Sequence, residues 1–261
     1  MILGKADKAK LADSIAAGAR AVHFSNATID WFLEGATPGQ MQAVDGMLKH
    51  EAEVRQRNRH ARLLRRAKFP AVKSVEDFDH SDLRFPDGYG WDNMLSLEWV
   101  GEHQDFVFHG PTGRGKSHLA VALGMRAIAA GKPVRFVTAA QLVLELKRAL
   151  EEGGLDESYA DYGKDSVLII DEMGYIPLDA EGGRLLFQVM SNCYERQSMV
   201  ITTNIEFSKW GTVLADEKLA SALVDRKCEA SHLRSNAKSY VMRSSSSRAR
   251  LNWAGASANF A

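Results

Sequence analysis

The eight residues Gly110-Pro111-Thr112-Gly113-Arg114-Gly115-Lys116-Ser117 constrain this chain more than any other stretch. They fit the full phosphate-loop pattern of Gly, four residues, then Gly-Lys-Ser. They also lie between an apolar run, FVFH at 106–109, and the segment GKSHLAVALGMRAIAA at 115–130, whose apolar residues recur every three or four positions. A strand, a glycine loop and a helix start in that order have a physical purpose. Glycines leave no Cβ between the backbone N–H groups and an anion, and the helix start adds the positive end of its dipole. The stretch Gly110, Pro111, Thr112, Gly113, Arg114, Gly115, Lys116 and Ser117, with His118 next in line, is therefore expected to hold the phosphates of ATP. Lys116 is expected to reach the β- and γ-phosphates, and the Ser117 hydroxyl to ligate Mg2+.

The surrounding chain repeats the same alternation. After the helix come a turn, a strand at 134–137 and another helix; SVLIIDE (166–172) reads as a buried strand, GGRLLFQVMSNCYERQ (182–197) as a helix, and SMVITTN (198–204) as a further buried strand. Strands alternating with helices predict an α/β fold, a parallel sheet with helices on both faces. Within it, VLIID places Asp171 at the end of a strand beside the phosphate loop. Asp171 is expected to hold magnesium through water, and Glu172 to polarise the attacking water. Asn204, chosen over Thr202 and Thr203, closes the next strand, where a polar side chain reaches the γ-phosphate.

Two arginines keep two readings each. Asp225-Arg226, on a predicted helix in LASALVDRK, either supplies a finger to a neighbouring subunit's γ-phosphate or forms a surface ion pair, and Arg196 carries the same pair of readings.

Residues 1–69 read as a helical N-terminal domain, with TPGQ at 37–40 punctuating before a second long helix. The stretch RQRNRHARLLRRAK at 55–68 carries seven Lys or Arg and no acid. Arg55, Arg59, Arg62 and Arg66 share one broad face there, flanked by Arg57 and Arg65, which suits a duplex phosphate backbone; a solvated face or an acidic protein partner is the alternative. Residues 70–104 read as a linker and the start of the core, 105–245 as the ATPase core, and 246–261, after four consecutive serines, as a disordered tail. The chain has 33 basic and 33 acidic side chains, so net charge offers no argument for nucleic acid and the local distribution has to. Cys193 and Cys228 make no disulfide framework or metal pattern, and the eight histidines form no ligand cluster. No apolar run is long enough for a membrane span, so a cytoplasmic location is expected.

Taken together, these motifs resemble the IstB-like transposition helper ATPases, a branch of the AAA+ superfamily close to the DnaC helicase loaders. The carrying residues are RRAKFPAVKSVEDFD at 65–79, GPTGRGKSHLAVALG at 110–124, FVTAAQLV at 136–143, LIIDEMGYIPLDAEGGRLLFQVMSNCYERQSMVITTNIEFSKWG at 168–211 and DEKLASALVDR at 216–226. The resemblance implies an AAA+ ATP hydrolase that forms a homo-oligomer on duplex DNA in bacterial cytoplasm and recruits the transposase of the same mobile element to its target. It assigns Gly115, Lys116 and Ser117 to the phosphates, Asp171 and Glu172 to magnesium and water, Asn204 to the first sensor and Arg226 to the trans finger. The C-terminus departs from the family: Val241 stands where a second-sensor arginine belongs, and Arg243 is a weak substitute. The competing function is a DnaC-like loader that grips a replicative helicase through residues 1–69. A small-molecule kinase fits less well, because there is no separate basic substrate lid.

Overall fold

The computed structural model describes residues 5–81, 83–85, 89–206, 209–216 and 240–242. The chain divides into two units, Met1–Arg62 and Leu63–Ala261. In the first, α1 (Lys5–Ala21), α2 (Asn26–Gly35) and the start of α3 (Pro38–Ala67) bury Ile15, Ala19, Ile29, Met41 and Leu48 against one another. The TPGQ punctuation is a capping box. Thr37 N–H donates to Gln40 Oε1 at 2.8 Å, Gln40 N–H returns a bond to Thr37 Oγ1 at 3.4 Å, and Pro38 occupies the first helical position.

The second unit begins inside α3, because Leu63 and Ala67 of its last turns are buried in the core of that unit. Next come β1 (Leu83–Arg84), α4 (Trp91–Leu95), α5 (Glu98–Gly101), β2 (Phe106–His109), α6 (Lys116–Ala129), β3 (Val134–Thr138), α7 (Ala139–Glu151) and α8 (Leu155–Tyr162). The remaining elements are β4 (Val167–Met173), α9 (Ala180–Cys193), β5 (Ser198–Thr203), α10 (Trp210–Leu214) and β6 (Tyr240–Met242). The sheet runs β1-β6-β2-β5-β4-β3. Five strands are parallel, and β1 pairs antiparallel to β6. That edge departs from the expected all-parallel sheet: β1 comes from the stretch read as a linker, and two residues carry no periodicity to betray a strand.

Strand parity explains the continuous apolar runs. Phe106, Phe108, Val167, Ile169 and Val200 face a core completed by Leu119, Leu123 and Ile128 of α6 and by Trp99 of α5. Their neighbours Val107, Leu168, Ile170, Met199 and Ile201 face the opposite layer, formed by Leu142 and Leu146 of α7, Leu186, Val189 and Met190 of α9, and Trp210. A strand covered on both faces has no polar side to show, so it reads as an apolar run without alternation. Cys193 is buried, as expected of a small hydrophobe; Cys228 lies outside the described residues. Among the described residues, no helix is long and apolar enough to cross a membrane.

The candidate phosphate and magnesium site

Strand β2 is flanked by β5 and β6, both distant in sequence, and the chain leaves it for β3 at the far edge of the sheet. The crevice beyond its carboxyl end is thus a topological switch point, where open α/β sheets bind ligands. The loop 110–115 fills this place between β2 and α6, held to the neighbouring strand by Gly110 N–H donating to the Thr203 carbonyl at 3.2 Å. Gly115 caps α6 at φ 76°, and a Cβ there would stand 2.8 Å from the Phe78 ring, so both backbone and space demand glycine.

Lys116 donates from Nζ to the Pro111 carbonyl at 2.8 Å, bridging the two ends of the loop. Burial lowers its pKa, and the Asp171 carboxylate opposes that shift. From the next position Ser117 Oγ donates to Asp171 Oδ1 at 2.8 Å. Two hard oxygens from separate elements therefore meet at the mouth of the loop, the donor chemistry Mg2+ takes when phosphates complete its shell. Among the described residues no group of three His, Cys, Asp or Glu side chains could hold a metal, so the fit rests on this Ser–Asp pair.

Asp171 is 5% exposed whereas Glu172, next to it, is exposed. Glu172 has φ 57°, a left-handed conformation that costs an L-residue about 1–2 kcal/mol and clusters at functional sites. Asn204 follows β5 directly. It is exposed and lines a cavity of 590 Å³ together with Gly110, Pro111, Gly174, Lys209 and Thr212.

The structure thus brings together the loop, Lys116, Ser117, Asp171, Glu172 and Asn204 at the carboxyl ends of β2, β4 and β5. Others it places elsewhere. His118 turns away from the phosphate loop: its Nε2 lies 3.0 Å from the Ser74 carbonyl and its ring packs 5.7 Å from Phe78, which fastens the 74–78 segment to α6. Arg196 sits in the turn before β5, at the opposite end of the sheet from the loop. Asp225, Arg226, Arg243 and the tail 246–261 lie outside the described residues.

The arginine face of α3 is also partly committed. Arg55 donates to Glu51 at 2.6 Å one turn back. Arg66 leaves the stripe altogether: it grips buried Asp165 through two bonds, Nε–Oδ1 at 2.7 Å and Nη2–Oδ2 at 3.1 Å, and also reaches Asp161. Its partner lies 99 positions away, which no helical-wheel argument can supply.

One residue the sequence argument passed over is Thr202. It is 1% exposed, donates to Asp171 Oδ1, and accepts the Glu172 N–H at 2.9 Å. The sequence offered only a polar residue near the end of the apolar run SMVITTN, and the register that sets it opposite the two acids comes from the fold.

Residues 28–248 match the family described as IstB-like ATP binding protein. The chain belongs to the IstB-like ATP-binding proteins. A protein named as an ATP-binding protein of insertion sequence IS5376 in Geobacillus stearothermophilus is 37% identical over 180 residues, 69% of this chain and 72% of that one. The corresponding protein of IS21 in Pseudomonas aeruginosa is 35% identical over 163 residues, 62% of each chain. A crystal structure of the DnaC helicase loader aligns at TM-score 0.46 and 22% identity, over 57% of this chain and 85% of that chain. AMPPCP-bound DnaA from Aquifex aeolicus aligns at TM-score 0.47 and 20% identity, over 60% and 49%. This IstB-like protein is a P-loop ATPase built on an open, mostly parallel α/β sheet.

Proposed function

We propose that this IstB-like ATPase assembles on duplex DNA in its ATP-bound form and helps the transposase of the same mobile element to select and capture its target. The observation that carries the reading is its kinship with insertion-sequence ATP-binding proteins across most of the chain. The placement of Lys116, Ser117, Asp171, Glu172 and Asn204 at the carboxyl ends of β2 and its neighbours β5 and β4 supports the ATP-driven part. The exposed arginines Arg59 and Arg62 of α3, flanked by Arg57 and Arg65, support a contact from the N-terminal helical domain to a phosphate backbone.

In this reading the loop N–H groups and Lys116 bind and orient the β- and γ-phosphates. Ser117 and Asp171 hold Mg2+, which when bound neutralises charge on the phosphate oxygens. Glu172 accepts hydrogen-bonding from the attacking water and polarises it, and Asn204 orients that water from the neighbouring strand. Arg226, supplied by an adjacent subunit, completes the site only in the assembly, so ATP favours the DNA-bound oligomer.

Light scattering tests this with and without a duplex of about 60 base pairs, in ATP, in ADP and without nucleotide. Growth into a large complex only with ATP and duplex together is the expected result. A protein that stays small in all six conditions, but retains a replicative helicase in a pull-down, would replace the helper reading with that of a helicase loader.

A further inference from the structure

Adjacent residues of a regular strand point to opposite faces, so two consecutive acids at a strand end do not serve one site without help. The ladder between β4 and β5 shows the help. Ile170 pairs with Ile201 and Met173 pairs with Thr203, so Asp171 and Glu172 together stand opposite the single residue Thr202. This is a bulge, the device by which a strand re-aims a side chain beside a site. At Glu172 the backbone turns through φ 57°.

Thr202 makes the bulge hold. Its hydroxyl donates to Asp171 Oδ1 and accepts the Glu172 N–H at 2.9 Å. A neutral hydroxyl does both at once because it carries one proton and two lone pairs; valine, its near-isostere, does neither. With Thr202 at 1% exposure, bulk water does not reach this junction to substitute for it.

We propose that Thr202 is a positioning residue for ATP hydrolysis: its one hydroxyl clamps the Asp171 carboxylate and the backbone of Glu172 into a single rigid pair. Asp171 is thereby aimed at Ser117, to which it is bonded at 2.8 Å, and Glu172 is held in the left-handed turn that exposes its carboxylate. The inference rests on the reading of Glu172 as the group that polarises water. It goes beyond it in placing control of both acids on the sensor strand β5, two residues ahead of Asn204.

The test compares Thr202→Val, Thr202→Ser and Glu172→Gln in the full-length protein, reading the hydrolysis rate kcat and the affinity for a fluorescent ATP analogue. Loss of the clamp in Thr202→Val is expected to lower kcat about tenfold or more, as outer-shell partners of metal ligands do, with affinity changed less than about threefold. Thr202→Ser, which keeps the hydroxyl, is expected to restore kcat to within about threefold of wild type. If Thr202→Val does not fold, Thr202→Ala carries the same comparison with the serine variant. A valine or alanine variant that hydrolyses ATP at the wild-type rate while Glu172→Gln is inactive overturns the inference and leaves the reading of Glu172 standing. So does a serine variant as slow as valine, since packing of the methyl group would then be the cause. Wild-type turnover by Glu172→Gln removes the reading itself, and the inference with it.

Discussion

At Lys116 the ammonium group is needed for phosphate yet sits in surroundings that disfavour it, since burial lowers its pKa against the pull of Asp171. A lysine whose folded-state pKa lies below its ordinary 10.5 opposes folding throughout the range in which it is charged, and the penalty disappears only as pH rises through that value. Because the group is half exposed, solvent screens most of the effect. Lys116→Met is therefore expected to leave the melting temperature of the nucleotide-free protein unchanged or about 2 °C higher, while ATP no longer raises it. Differential scanning fluorimetry with and without ATP checks this. A variant several degrees less stable without nucleotide would show that the bond to the Pro111 carbonyl outweighs the burial of charge. Lys116 and Ser117 were picked out in the sequence by the phosphate-loop pattern, and Asp171 by its place at the end of an apolar strand. Thr202 was not, because a buried threonine at the end of an apolar strand is also what β-propensity alone would place there.

Among the elements, α9 and α10 meet at Gly183 with no space to spare. A Cβ there would lie 1.9 Å from the Leu214 carbonyl oxygen, a backbone atom that cannot rotate away. Gly183→Ala should cost about 3 kcal/mol in chemical denaturation, toward the upper end of ordinary overpacking. A second contact joins the end of α3 to α8 and to the turn between α8 and β4. Arg66 holds Asp165, whose side chain is wholly buried, and Arg135 lies 3.6 Å from the same carboxylate. Arg66→Met leaves Asp165 buried with only its weaker partner, and a loss of about 2–4 kcal/mol is expected.

Asp161, in the same cluster, gives this contact a pH dependence. Burial pushes its carboxyl up, but the bond and charge of Arg135, with the charge of Arg66, outweigh it and hold the pKa below the ordinary 3.8. A depressed carboxyl contributes stability above its unfolded pKa and loses it as pH falls through the folded one. The stability gap between wild type and Asp161→Asn should thus be full at neutral pH and close below pH 3.8, as read by urea denaturation across an acid series. A gap that stayed constant would mean that the packing of the side chain, not its charge, carries the contribution. The inner strands and the helices α6, α7 and α9 were readable from periodicity, whereas the short helices α4, α5, α8 and α10 span too few turns to show it. The edge strand β1 was not, since its two residues become a strand only by pairing with β6.

For the molecule as a whole, ATP that binds the folded chain alone stabilises it by mass action, about 2.7 kcal/mol at a hundredfold excess over Kd. A rise in melting temperature of about 5–10 °C follows for a core of this size. Chelation with EDTA should remove much of that rise, and Ser117→Ala and Asp171→Asn should mimic chelation, if those two oxygens hold the cation. On duplex DNA, Arg62→Ala should reduce the slope of log affinity against log salt by about one, the signature of one lost phosphate contact. Arg66→Met should leave that slope unchanged, because its guanidinium is already spent on Asp165.

What the sequence determined by itself was everything written in contiguous residues: the phosphate loop, the acid pair after an apolar strand, the α/β alternation, the capped start of α3 and the family to which they point. Those features depend on local backbone conformation and on period, and both can be read along the chain. Only the tertiary structure decided which distant residues meet. Ser117 and Asp171 are 54 positions apart, Asp171 and Thr202 are 31 apart, and Arg66 and Asp165 are 99 apart. The order of the strands sets those meetings, and in the buried interior each polar group must find its partner from whatever element the fold lays beside it.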